Sequence, residues 1–75
     1  MNSHALQEIL DTQGISRDAY SLFGESVNEC YCLSDSMGKW AVYYSERGEE
    51  TGRQEFQTES KACEYLLALL LRDLG

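Results

Sequence analysis

The run Gly38-Lys39-Trp40-Ala41-Val42-Tyr43-Tyr44-Ser45-Glu46-Arg47-Gly48 restricts what this chain can fold into more than any other stretch. Aromatic residues and a valine crowd its middle, and such side chains suit a pleated, half-buried surface. A period of two puts Trp40, Val42 and Tyr44 on one side and Ala41, Tyr43 and Ser45 on the other. Lys39 to Glu46 is therefore predicted as a strand with its Trp40 side toward a core. The chain has no proline, so its turns depend on glycine and short polar residues.

Neighbouring segments supply partners for that strand. Ala19-Tyr20-Ser21-Leu22-Phe23 alternates as a strand and stops at Gly24, and Glu29 to Leu33 forms another, with Tyr31 and Leu33 on one face and Cys30 and Cys32 on the other. Ser34 to Gly38 has the composition of a hairpin loop, and Arg47 to Gly52, with two glycines, that of a second one. Arg53 to Gln57 reads as a charged edge strand with Phe56 turned inward.

Helical spacing brackets the strands. Asn2 or Ser3 is a candidate N-cap for a short helix carrying Leu6, Ile9 and Leu10, and Gly14 offers its stop. Ile15 to Asp18 is a connector. Thr58 is the expected N-cap of a closing helix from Glu59 to Leu74, with the Glu59 carboxylate favouring the positive end of its dipole. On a helical wheel Ala62, Cys63, Leu66, Leu67, Leu69, Leu70 and Leu74 make one wide stripe opposite Lys61, Glu64 and Arg72, and Tyr65, Ala68 and Leu71 widen it. The predicted order is α-β-β-β-β-α. That is an α+β fold: a three- to four-stranded antiparallel sheet with both helices packed on one face.

At 75 residues the chain has room for one domain, residues 1–75, with every element needed for the core. Thirteen acidic against six basic residues give a formal charge of −7, which opposes direct nucleic-acid or anionic-membrane binding and favours basic protein partners. The start of the chain shows no basic region followed by an apolar run, and Arg72 and Asp73 interrupt the Leu-rich end, so the expectation is a cytoplasmic protein with no membrane segment. The three cysteines, Cys30, Cys32 and Cys63, do not form the even pattern of a disulfide scaffold. Cys30 and Cys32 would share a strand face with Cα atoms roughly 6.5–7 Å apart, at the limit for bridging, so buried free thiols are expected.

Little in the sequence suggests chemistry. The single histidine, His4, lies near the start of the chain, away from any nucleophile pattern. Cys30-x-Cys32 lacks the spacing of a zinc site, and the acids around Glu49 and Glu50 do not follow an EF-hand pattern. No metal, cofactor or catalytic residue is assigned, and the protein is read as not an enzyme. What remains is a surface that mixes aromatic and acidic groups: Asp35, Tyr43, Glu46, Arg47, Glu49, Glu50 and Glu55, with Tyr44 if it reaches the rim. Tyrosine buries a large rigid area and keeps a hydroxyl for hydrogen bonding, which suits it to interfaces. Such acids also serve simply as a solvated face. Tyr43 has a packing role open to it as well, and Arg47 either pairs with Glu49 or contacts a partner carboxylate.

Gly38-x-Trp40-x-Val42-Tyr43-Tyr44-Ser45-Glu46-Arg47-Gly48, followed by Phe56-x-Thr58-Glu59 and by Ala62-Cys63 leading into a Leu-rich helix, resembles small bacterial immunity proteins of polymorphic-toxin and contact-dependent-inhibition systems. The resemblance spans residues 38–71. It implies a cytoplasmic inhibitor that binds a cognate basic toxin domain, often a nuclease, and blocks its active site or substrate groove. The alternative is a small homo-oligomeric or adaptor domain, a homodimer for instance, that uses its Leu-rich C-terminal helix as the interface.

Overall fold

The computed structural model describes residues 1–22, 29–36 and 38–74. The elements run α1 (Ser3–Thr12), a 3-10 turn (Arg17–Ala19), β1 (Tyr20–Ser21), β2 (Cys30–Ser36), β3 (Lys39–Glu46), β4 (Glu49–Phe56) and α2 (Glu59–Leu74). The fold is α+β, with one four-stranded sheet in the order β1-β2-β3-β4.

Local chemistry sets the helix ends. The Asn2 side chain accepts from the Ala5 N–H at 2.8 Å and starts α1. Gly14 stops it with φ +77°, as Ile15 N–H donates to Leu10 O at 3.0 Å and Gly14 N–H to Asp11 O at 3.1 Å. These two bonds form a Schellman motif, and Leu10 and Ile15 are both buried in the core. Thr58 Oγ1 accepts from the Lys61 N–H at 3.2 Å at the start of α2.

The sheet is mixed, and this corrects the expected antiparallel arrangement. β2, β3 and β4 pair antiparallel, but β1 runs parallel to β2, with Tyr20 opposite Tyr31 and Ser21 opposite Cys32. A parallel connection must travel back the length of its strand, which normally takes a dozen residues or more. The two-residue β1 rises only about 7 Å, so the return it requires is short. The strand expected over 19–23 is also shorter: Ala19 closes the 3-10 turn, and Phe23 and Gly24 lie outside the described residues.

Both hairpin connections are tighter than their composition suggests. β2 continues to Ser36, which pairs with Lys39. β4 begins at Glu49, which pairs with Glu46, so only Arg47 and Gly48 turn the chain, with φ of +51° and +82°. Positive φ at both central positions is the type I′ geometry that matches strand twist.

Cross-strand pairing fixes which side chains face the helices. Leu33 and Val42 stand opposite each other and join Leu6 and Leu10 of α1 and Ala62, Cys63, Leu66 and Leu70 of α2 in one buried cluster. Trp40, Tyr31, Phe56 and Tyr65 are half-buried at its margins. Among the stripe residues of α2 that are described, Leu66 and Leu70 are fully buried and Leu67 and Leu69 half-buried, whereas Leu71 is 38% exposed. The stripe therefore goes largely into the core of its own chain. Cys30, Cys32 and Cys63 are buried free thiols. No described helix is long and apolar enough to cross a membrane.

Candidate functional site

The two central strands carry the acidic and aromatic residues to two ends of the sheet. Asp35 lies at the β2–β3 turn, and Glu46, Arg47 and Glu49 lie at the β3–β4 turn. Trp40, the partner of Asp35, lies six positions along β3 from Glu46, a span of about 20 Å. The seven residues singled out in the sequence thus do not form one patch.

Tyr43, Glu50 and Glu55 do come together, through a bulge. Val42 pairs with Gln54 and Tyr44 with Thr51, so Tyr43 alone on β3 faces two residues, Gly52 and Arg53, on β4. Gly52 takes φ +65°, the left-handed conformation a glycine adopts at the first position of a G1 bulge. Five positions separate Glu50 from Glu55, so in a regular strand they would point to opposite faces. The inserted residue brings both to the Tyr43 side, where each stands opposite a small residue, Ser45 and Ala41.

Arg53 holds this group together, and the sequence reading missed it. Its guanidinium reaches Glu50 Oε1 at 2.7 Å and Glu55 Oε2 at 3.5 Å and lies 5.9 Å from the centre of the Tyr43 ring. The carboxylates hold the Arg53 pKa above its ordinary value, Glu50 most strongly. Burial, with Cys32 and Glu50 nearby, pushes the Tyr43 hydroxyl upward, so it stays protonated and able to donate a hydrogen bond. Both ion pairs are solvent-exposed, so they add little to stability and serve mainly to orient the group. A glycine inside a charged run was the available signal; it read as a turn because bulge and turn draw on the same residue.

The hairpin tip differs from this neutralised group. Glu46 and Glu49 are paired directly across the ladder and exposed, and neither takes part in any of the ion pairs among the described residues. Arg47, expected either to pair with Glu49 or to contact a partner, makes no ion pair with Glu49 and occupies the positive-φ turn position. Like charges facing each other across a ladder are mutually destabilising.

On the helix-covered side, α2 leaves a groove of about 240 Å³ beside β4, walled by Tyr31, Tyr44, Tyr65, Leu69, Thr51 and Arg72. Tyr31 and Tyr44 meet edge to face at 5.1 Å, and Phe56 packs on Tyr65 at 5.2 Å. The Tyr31 hydroxyl donates to the Asp73 carboxylate, tying β2 to the end of α2. Among the described residues, no group of three or more His, Cys, Asp or Glu side chains is placed to hold a metal ion. No family model, curated protein or solved structure matches this chain.

Proposed function

We propose that this protein is a non-catalytic protein-binding domain that acts as an immunity protein, neutralising a basic toxin domain by docking its acidic β3–β4 hairpin onto it. The observation that carries this reading is the Glu46–Glu49 pair. Two carboxylates held face to face at a tight turn weaken the isolated hairpin by about 0.2–1 kcal/mol, and a cationic partner relieves that repulsion on docking. The net charge of −7 adds long-range attraction toward a basic surface. Tyr43 and Arg53, oriented by Glu50 and Glu55, flank the tip with the residue types that dominate interface energetics.

The reading in which α2 mediates homo-oligomerisation has less to draw on. Leu66 and Leu70 are buried in their own chain, and Leu71 is the large apolar residue left most exposed on the described part of α2.

Co-expression with the product of the adjacent open reading frame tests the proposal. A neighbour that arrests growth alone, is tolerated with this chain, and co-purifies with it supports an immunity role. A harmless neighbour that forms no complex overturns it.

A further inference from the structure

A second recess lies at the far end of the sheet from the acidic hairpin. It is a cleft of about 460 Å³ where β2 and β3 meet the starts of both helices, with Leu22, Leu33 and Trp40 as its apolar wall and His4, Asp35 and Glu59 among its polar groups. We propose that this cleft is the socket for an arginine side chain of the protein partner. The proposal rests on the partner being basic, as argued above, and names the group it inserts at a place remote from the hairpin.

The hydrogen-bond inventory decides the sign of the occupant. Helix starts attract anions through free N–H groups, and here the chain supplies its own acceptors for those of Ser3, Ala5 and Lys61. Asn2 takes the Ala5 N–H at 2.8 Å, and Thr58 takes that of Lys61 at 3.2 Å. Glu59 Oε2 accepts from both the Ser3 N–H at 3.2 Å and the Ser3 hydroxyl at 2.9 Å. The Met1 ammonium donates to Ser60 Oγ at 3.2 Å. His4 is likewise engaged in a contact of its own. The Asp35 carboxylate is what the cleft has left to offer. Asp35 is exposed and takes part in no ion pair among the described residues.

The geometry selects arginine among cations. Asp35 stands opposite Trp40 across the β2–β3 ladder, so a carboxylate and an indole share one face with Cβ atoms about 4.5–5.5 Å apart. A planar guanidinium can stack on an indole while its N–H groups bond a carboxylate; an ammonium, a compact point charge, lacks that planar fork. Leu22 and Leu33 line the cleft but are themselves buried, so the exposed part of Trp40 is the apolar surface on which the aliphatic stem lies. Trp40 is half-buried against the core, so its ring is pre-positioned.

Trp40 is the single tryptophan, which makes its indole N–H a clean reporter in a two-dimensional amide NMR spectrum. The full chain is titrated with a nona-arginine peptide and, separately, with a nona-lysine peptide. Arginine occupancy of the cleft shifts the Trp40 indole and the Asp35 amide saturably, with affinity about fivefold or more above that of the lysine peptide. Asp35→Asn, an exposed and nearly isosteric change, weakens the arginine peptide by a similar factor. Shifts confined to Glu46–Glu50 with a silent Trp40 overturn the socket while leaving hairpin docking in place. Equal affinity for the two peptides, or an unchanged affinity in Asp35→Asn, also overturns it. Loss of growth rescue in co-expression strikes at the immunity role itself, so the two failures are separable.

Discussion

Asp35 and Trp40 face each other across the β2–β3 ladder on the side of the sheet that the helices cover. Trp40 is half-buried against the core, and Asp35 is exposed. The β3–β4 ladder ends on Glu46 and Glu49, so β3 connects an aromatic–carboxylate pair at one end with a carboxylate pair at the other. Between them the buried Val42 and Leu33 hold both ends in one rigid register.

The β3–β4 turn is a sensitive point because both of its residues have positive φ. Gly48→Ala places a Cβ in a left-handed conformation at a cost of about 1–2 kcal/mol, although nothing crowds the position. With a urea m-value of about 1 kcal/mol/M, the unfolding midpoint falls by about 1 M or more. Arg47→Asn acts in the opposite direction, since asparagine tolerates this conformation, and raises the midpoint by a few tenths of a molar.

The thiols behave as core residues in the native protein. Cys30 and Cys32 lie with their sulfurs 3.7 Å apart, and burial together with that proximity pushes the Cys30 pKa up to about 11. Burial raises Cys63 as well. All three sulfurs are buried, so a disulfide-exchange reagent at about pH 8 modifies these cysteines slowly in native protein and rapidly in denaturant. Rapid native reaction of all three would contradict the packing.

Asp73 provides a pH test at the end of α2. The Tyr31 hydroxyl, then Arg72, hold its carboxyl below the ordinary value of 3.8. A folded-state pKa depressed below the unfolded one contributes stability that is fully present above the unfolded value. That contribution is lost as pH falls through the folded value. Carboxyl-carbon NMR should therefore give Asp73 a titration midpoint below 3.8, and Tyr31→Phe, which deletes the donor, should move it upward. A midpoint indifferent to Tyr31→Phe would mean that the hydroxyl does not hold the carboxylate.

Much of the fold was legible in the sequence because its signals were local. Asn2, Gly14 and Thr58 mark helix ends through hydrogen bonds within a few residues, and the alternation around Val42 sorts Trp40, Val42 and Tyr44 onto the helix side, although Ala41 and Ser45 on the other face are buried as well. The direction of β1 was not legible, since two residues carry no periodicity and parallel pairing is decided by the rest of the chain. β4 was under-read for a different reason. As an edge strand exposed along almost its whole length, it has no apolar alternation from Glu49 to Glu55, and its glycine at the bulge imitates a turn. That hid the role of Arg53, because only the shifted register places its guanidinium between Glu50 and Glu55.

Electrostatic docking through the hairpin tip makes one joint requirement on stability and binding. The double variant Glu46→Gln, Glu49→Gln removes the facing charges, so it should unfold at a higher urea concentration than the natural chain. It should also associate more slowly with the toxic neighbour. The decisive measurement is the association rate constant for that neighbour, taken for both proteins as ionic strength rises from about 0.01 M to about 0.15 M and the screening length shrinks from about 30 Å to about 8 Å. The natural chain is expected to slow by about tenfold or more, and the variant to start slower and change less. A rate constant that is the same at both salt concentrations and in both proteins would contradict docking by the acidic hairpin.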